Sequence, residues 1–345
     1  MLRRSMAGNT DVSFGILLPQ GWRLDLPAES SSGEQWRILV DAAKKIESLG
    51  FGGLWVYDHF HTFPIKEERS VFEAWTTLTA LAGLTKTIRL GQLVTCYAYR
   101  SPAILAKMSS CLDVISNGRL EFGIGAGWYE DEFSAYGLPY PKAAVRIAQL
   151  RETVQIVKNM WTEHETTFSG KYYKIRNTLN YPKPIQKPHP PITIGGGGEK
   201  LTLRVVAEHG DRWNIDLGCG LGQSKHKLSV LRDHCKSAGR DFDEIEISIH
   251  RDIMVGEDKK KIELALGKEY EMLCSWYREH NRLPIDYETF VRGRKFHGSP
   301  VQCAEQMKEF VKLGVSHFVM YVRDLLETRP LRLIAEEVIP AVIRR

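Results

Sequence analysis

The chain has 345 residues, 43% of them hydrophobic, which is enough apolar material for one large α/β barrel or two smaller domains. Its formal charge of +5 is modest and spread along the chain without a long block of like charges, which speaks against nucleic acid and leaves anionic small molecules. Six cysteines, Cys96, Cys111, Cys219, Cys235, Cys274 and Cys303, form no C-x-x-C pair or zinc spacing and read as reduced thiols of a cytoplasmic protein.

Residues 1–10 form a basic lead with no apolar run of signal-peptide length behind it, and no stretch is long enough to cross a bilayer. Val12 to Leu18 is apolar nearly throughout, the pattern of a strand buried on both faces of a parallel sheet. Ser32 with Gln35 forms a capping box for a helix whose Trp36, Leu39, Val40, Ala43 and Ile46 share one stripe, and Gly50 closes it. A second strand, Gly53 to Tyr57, runs into Asp58-His59-Phe60-His61. A helix from Phe72 to Leu84 leads to a third strand, Ile88 to Thr95. Ser101 caps and Pro102 opens the next helix, Asn117-Gly118 stops it, and a fourth strand follows from Leu120 to Gly125. An acidic turn through Glu132 then leads to a long helix around Ile147, Leu150, Val154, Val157 and Trp161.

Residues 162–190 change to short β-type pieces and prolines, the mark of an insertion. A fifth strand around Ile192 to Ile194, a helix from Leu201 to His209 ended by Gly210, a sixth strand from Asp211 to Leu217, a helix from Ser224 to Ala238 and a strand from Ile245 to Val255 follow. Residues 256–297 are charged, helical in pattern and poorly matched to a strand, a second insertion. Ser299-Pro300-Val301-Gln302 caps a helix ending at Gly314, Val315 to Val322 is the eighth strand, and a last helix from Leu331 to Ile339 stops at Pro340. Eight strands alternating with helices predict a single α/β domain, a closed (β/α)8 TIM barrel with two insertions, whose chemistry lies at the C-terminal ends of the strands.

Asp58 and His59 end the second strand, where the histidine can act as a general base near neutral pH. His59 and His61 would point the same way on a strand and so suit a metal, but no other strand end supplies the remaining ligands a metallohydrolase needs. Gly123-Ile124-Gly125-Ala126-Gly127 lacks the G-x-G-x-x-G spacing of a dinucleotide loop and instead makes room for a flat ring, with Trp128 at its edge. Trp22, Phe60 and Tyr97 are further strand-end aromatics for an apolar pocket, and Cys96, without an evident base partner, is pocket lining or core and not a nucleophile. Gly195-Gly196-Gly197-Gly198 joins a strand to a helix with no side chain over the backbone, so its amides and the helix N-terminus suit a phosphate.

Taken together in order and spacing, several segments resemble the luciferase-like monooxygenase superfamily of flavin and deazaflavin barrels, and within it the coenzyme F420-dependent oxidoreductases. They are Leu18-Pro19-Gln20-Gly21-Trp22, Val56-Tyr57-Asp58-His59-Phe60, the run Tyr99 to Lys107, Ser116-Asn117-Gly118-Arg119, Gly123 to Trp128, Pro190 to Gly198, and Gly298-Ser299-Pro300. The resemblance implies coenzyme F420 in the barrel mouth, with Asp58 and His59 beside the ring as catalytic residues and His59 as proton donor or acceptor. It implies a phosphate grip at Gly197, Gly198 and Gly218, further cofactor contacts at Gly127 and Gly196, and a non-proline cis peptide behind the ring within Gln92-Leu93-Val94. It also implies hydride transfer to or from a small organic substrate, and a homodimer. The alternatives on the same barrel are an FMN-dependent monooxygenase fed by a partner reductase and a barrel that stores cofactor without turning it over. One departure is plain: sugar-phosphate dehydrogenases of the family carry a glutamate after the strand-four G-x-G, where this chain has Trp128.

Overall fold

Short runs of buried apolar residues set the parallel strands β1 (Ser13–Leu17), β2 (Gly53–Val56), β3 (Arg89–Gln92), β4 (Thr95–Cys96) and β5 (Leu120–Gly125). The hairpin strands β6 (Glu165–Ser169) and β7 (Lys174–Leu179) follow, then β8 (Ile192–Gly195), β9 (Arg212–Ile215), β10 (Glu246–Val255), β11 (Lys295–Gly298) and β12 (Val315–Val322). In the computed structural model, which describes residues 12–323 and 325–344, parallel pairing runs β1-β2-β3-β5-β8-β9-β10-β12 and β12 pairs back onto β1. That is a closed (β/α)8 TIM barrel, as the alternation of strands and helices predicts. The basic lead at residues 1–10 lies outside the described residues. Among the described residues no helix is long and apolar enough to cross a membrane.

The N-terminal end of the barrel is closed by buried charge and the C-terminal end by aromatics. Glu121 accepts from Arg212 at 2.6 Å and is also paired with Arg89, while Arg212 reaches Glu246 at 2.6 Å. Burial would raise the Glu121 carboxyl, but Arg212 and Arg89 outweigh it and hold the group at about 2. Nearer the mouth, Leu17, Trp22, Trp55, Tyr57, Leu93, Val319 and Tyr321 form a second buried cluster that floors the cavity.

Several expected boundaries move. The first capping box is Ser31 with Glu34, one residue earlier than the pair Ser32 and Gln35, because the Glu34 carboxylate reaches back to the Ser31 N–H at 2.8 Å. The second helix is Ala74–Leu84, started by the Glu73 carboxylate and not at Phe72. The acidic turn is a short helix, Glu130–Ala135. The third strand breaks after Gln92, and the Leu93-Val94 peptide is cis. Gly123 admits this bulge: a Cβ there would stand 2.0 Å from the Gln92 carbonyl oxygen. Pro340 does not stop the last helix, which runs Thr328–Ile343 through a π turn at Ile334–Val338 and places Pro340 in the first turn of its final segment, where a missing N–H costs little.

Residues 162–190 contain the antiparallel β6-β7 hairpin. The second insertion holds the helices Lys259–Glu279 and Tyr287–Arg294, and it also holds a strand the polar sequence conceals. β11 reads Lys-Phe-His-Gly yet pairs in parallel with β10, with Lys295 only 3% exposed because Asp252 and Glu269 take its ammonium.

Candidate active site

The C-terminal strand ends surround a cavity of about 620 Å³, a size that suits a cofactor with a small substrate. Asp58 is buried at its edge and is fully committed: Arg100 donates to Oδ2 at 2.7 Å and to Oδ1 at 2.9 Å, and the Cys96 N–H donates to Oδ2 at 2.9 Å. A bidentate guanidinium fixes the carboxylate, and with it the β2 and β4 ends, in one geometry. Arg100→Met is expected to cost about 3–5 kcal/mol by denaturant unfolding, because it strands a buried carboxylate, and adding Asp58→Asn should recover part of that loss.

His59 lies on the cavity wall. Its ring stacks on Trp22 at 4.2 Å with an interplanar angle of 7°, and its Nδ1 lies 2.8 Å from Glu132 Oε2. A carboxylate accepts there only if Nδ1 carries the proton, which leaves Nε2 as the ring nitrogen not engaged by Glu132. Glu132 is fully buried and accepts three further bonds, from the N–H groups of Phe60 at 2.7 Å and His61 at 3.0 Å and from the Tyr99 hydroxyl at 2.7 Å. Burial works to raise its carboxyl, but the hydrogen bond from His59 and the two backbone donors hold it below the ordinary glutamate value. Glu132 is therefore an ionised orienting group behind the histidine. The sequence hid it inside an acidic stretch, where Glu130, Asp131 and Glu132 look alike.

Of the other expected residues, Trp22, Leu93, Val94, Cys96, Gly127, Trp128 and Gly196 lie on the cavity wall. Phe60 does not: it packs between Tyr99 at 4.7 Å and Tyr136 at 4.5 Å. Tyr97 is buried in the core off the cavity wall and donates to Gln149 at 2.8 Å, and Gln92 is buried next to the bulge. His61 packs on Tyr136 at 5.4 Å, and among the described residues no group of three metal-ligating side chains comes together. The wall also holds residues that the sequence did not single out: Thr95, whose hydroxyl is buried with no partner among the described residues, and Phe63 and Trp276, which meet at 5.2 Å beside Trp128. Trp276 comes from the second insertion, so that segment builds part of the cavity.

The glycine loop departs most from expectation. The Gly197 N–H is bonded to the Asp216 carboxylate, and the Gly197 carbonyl accepts from Lys227 at 2.7 Å. The Gly218 N–H, expected to grip phosphate, donates to the Gly293 carbonyl at 3.0 Å. Gly198 keeps an N–H without a protein partner among the described residues, just ahead of the helix Thr202–His209, and Gly196 and Thr202 reach the cavity. The sequence could not show this, because the carboxylate and the carbonyl that take these amides come from later segments.

A family model described as luciferase-like monooxygenase matches residues 12–317, nearly the whole barrel. The chain belongs to the luciferase-like monooxygenase family. Among its relatives is an F420-dependent glucose-6-phosphate dehydrogenase of Amycolatopsis mediterranei (strain U-32), 27% identical over 328 residues that cover 90% of this chain and 96% of that one. Solved structures with the same fold include an F420-dependent secondary alcohol dehydrogenase in complex with an F420-acetone adduct, TM-score 0.81 at 21% identity, covering 97% of this chain and 100% of that one. A monooxygenase from Streptomyces bottropensis superposes with TM-score 0.77 at 23% identity, covering 95% of this chain and 99% of that one.

Within this luciferase-like barrel, Leu93, Val94, Gly125, Ala126 and Gly127 line the cavity together with His59. A Cβ on Gly125 would stand 2.7 Å from Val94 Cγ2, so this glycine makes room for the Val94 side chain on the wall. A planar ring would lie along this wall, with the Gly196 and Thr202 end, next to the Gly198 N–H, left for an anionic tail.

Proposed function

We propose that the enzyme transfers a hydride between coenzyme F420 and a small organic substrate. The observation that carries this reading is His59 on the cavity wall with Glu132 behind it, and on the same wall Gly196 and Thr202 next to the Gly198 amide, which has no protein partner among the described residues. When bound, the deazaflavin supplies the hydride acceptor or donor at its C5. Leu93, Val94 and Gly125 to Gly127 would orient it, and Gly196, Gly198 and Thr202 would hold its tail. In the oxidising direction His59 Nε2 takes the proton of a substrate hydroxyl as the adjacent C–H bond gives up its hydride; in the reducing direction it returns that proton. Glu132 holds the imidazole so that Nε2 keeps its lone pair toward the substrate. Asp58, committed to Arg100, positions the strand ends and moves no proton. Phe63, Trp128 and Trp276 exclude water above the reacting carbon. The sugar phosphate of the named relatives is not carried over, because Trp128 stands where such enzymes are expected to have a glutamate.

Equilibrium titration tests the reading. We expect F420 to bind in the micromolar range, and its visible absorbance to bleach or recover anaerobically across a panel of alcohols, ketones and enones. Micromolar binding of FMN with none of F420 would replace it with the flavin monooxygenase reading, and tight F420 binding with no turnover across the panel would leave a cofactor carrier.

A further inference from the structure

The Gly197 peptide is held from both sides by charged side chains that a phosphate-binding glycine loop does not need. Its N–H is bonded to Asp216 and its carbonyl to Lys227 at 2.7 Å. The enclosure is tight: a Cβ on Gly197 would lie 2.4 Å from Asp216 Oδ2 and 2.3 Å from Lys227 Nζ. Asp216 directly follows β9 and faces the cavity, and Lys227 reaches in from the helix Leu221–Ala238. An incoming phosphate therefore meets one amide fewer than the glycines promise, and a carboxylate in addition. The nearby Lys227 ammonium is tied to the Gly197 carbonyl and keeps its charge, so it is Asp216 and not Lys227 that opposes an anion here.

Resting on the F420 reading, we infer that Asp216 is a specificity-determining residue that sets which phosphate the loop accepts. It tolerates the singly charged phosphodiester of the F420 tail and disfavours the doubly charged terminal phosphate of FMN. The repulsion scales with the product of the charges, so a dianion meets about twice the opposition of a monoanion at the same distance. Screening by salt is weak inside a cavity, which preserves the difference. Burial raises the Asp216 carboxyl above the ordinary aspartate value, against Lys227 and the Gly197 N–H, which lower it, and the Cys219 thiol is the other titratable group beside it. A raised carboxyl neutralises earlier as pH falls, so the opposition to FMN weakens toward acid pH.

Asp216→Asn keeps the shape and an acceptor for the Gly197 N–H while removing the charge. The wild type and this variant would be titrated by fluorescence with F420, FMN and the tail-less deazaflavin riboside. FMN affinity should rise about tenfold, F420 affinity about threefold, and riboside affinity not at all, with a flatter pH dependence for FMN in the variant. An FMN affinity unchanged within about twofold, or an equal rise for all three ligands, overturns the inference. Asp216→Ser repeats the measurement if the asparagine variant folds poorly by circular dichroism. Failure of the wild type to bind either F420 or the riboside is a separate result, which removes the cofactor reading and this inference with it.

Discussion

Replacing His59 with asparagine is expected to lower kcat for F420-linked hydride transfer by about 10²–10⁴-fold, the usual contribution of a positioned general acid or base. Asparagine retains polarity but has no titratable nitrogen to face the substrate, and it gives up the stack on Trp22. Affinity for F420 should change by less than about threefold, because the proposed grip on its tail lies at Gly196 and Thr202 and at the neighbouring Gly198 amide. Pre-steady-state bleaching of the deazaflavin separates the two quantities. A variant that turns over within about threefold of the wild type would remove His59 from proton transfer.

Glu132→Gln should be nearly as damaging, by about a hundredfold in kcat, although Glu132 itself touches neither the cavity nor the substrate. The amide keeps one oxygen for the Phe60 and His61 N–H groups but turns an NH₂ toward two donors, the imidazole Nδ1–H and the Tyr99 hydroxyl. To avoid that clash the imidazole must move its proton to Nε2, and the cavity then faces a donor in place of an acceptor. Glu132→Asp should restore part of the rate, since it keeps the charge at a shorter reach. A second readout is stability against pH. The folded-state value of Glu132 is depressed, so its contribution is complete above the ordinary glutamate range and is lost as pH falls through the depressed value. The stability gap between the wild type and Glu132→Gln should therefore close in acid. A gap that stays constant with pH, together with an unchanged kcat, would leave Glu132 a packing residue only.

The two insertions mark where sequence reading reached its limit in the fold. Alternating short apolar runs and capped helices exposed all eight barrel strands, and the helix punctuation at Ser101-Pro102 and Asn117-Gly118 fell where expected. The strand Lys295–Gly298 was invisible because its lysine and histidine look solvated. In the folded chain Lys295 sits between Asp252 and Glu269, which come from β10 and from the helix Lys259–Glu279. A charged residue is buried only where partners wait for it, and no local pattern announces them.

The site divides in the same way. Its bare backbone was legible: glycines at 123, 125, 127 and 195–198 report close approach or unusual dihedrals wherever they stand, since the absence of a Cβ is a local property. The position of His59 at a strand end was legible for the same reason. What the amides and carboxylates do was not. Gly197 and Gly218 carry N–H groups as any residue does, but Asp216 and Gly293 take them. Asp58 looked like a catalytic acid until Arg100 claimed both its oxygens, and Glu132 was one acid of three until it met His59, 73 positions away in the chain. The sequence by itself determined the elements, their order and the places where the backbone is exposed, because these follow from periodicity and from missing side chains. Only the tertiary structure decided which polar group is free to act, because a hydrogen bond is a pairwise property and each of these partners arrives from a distant segment.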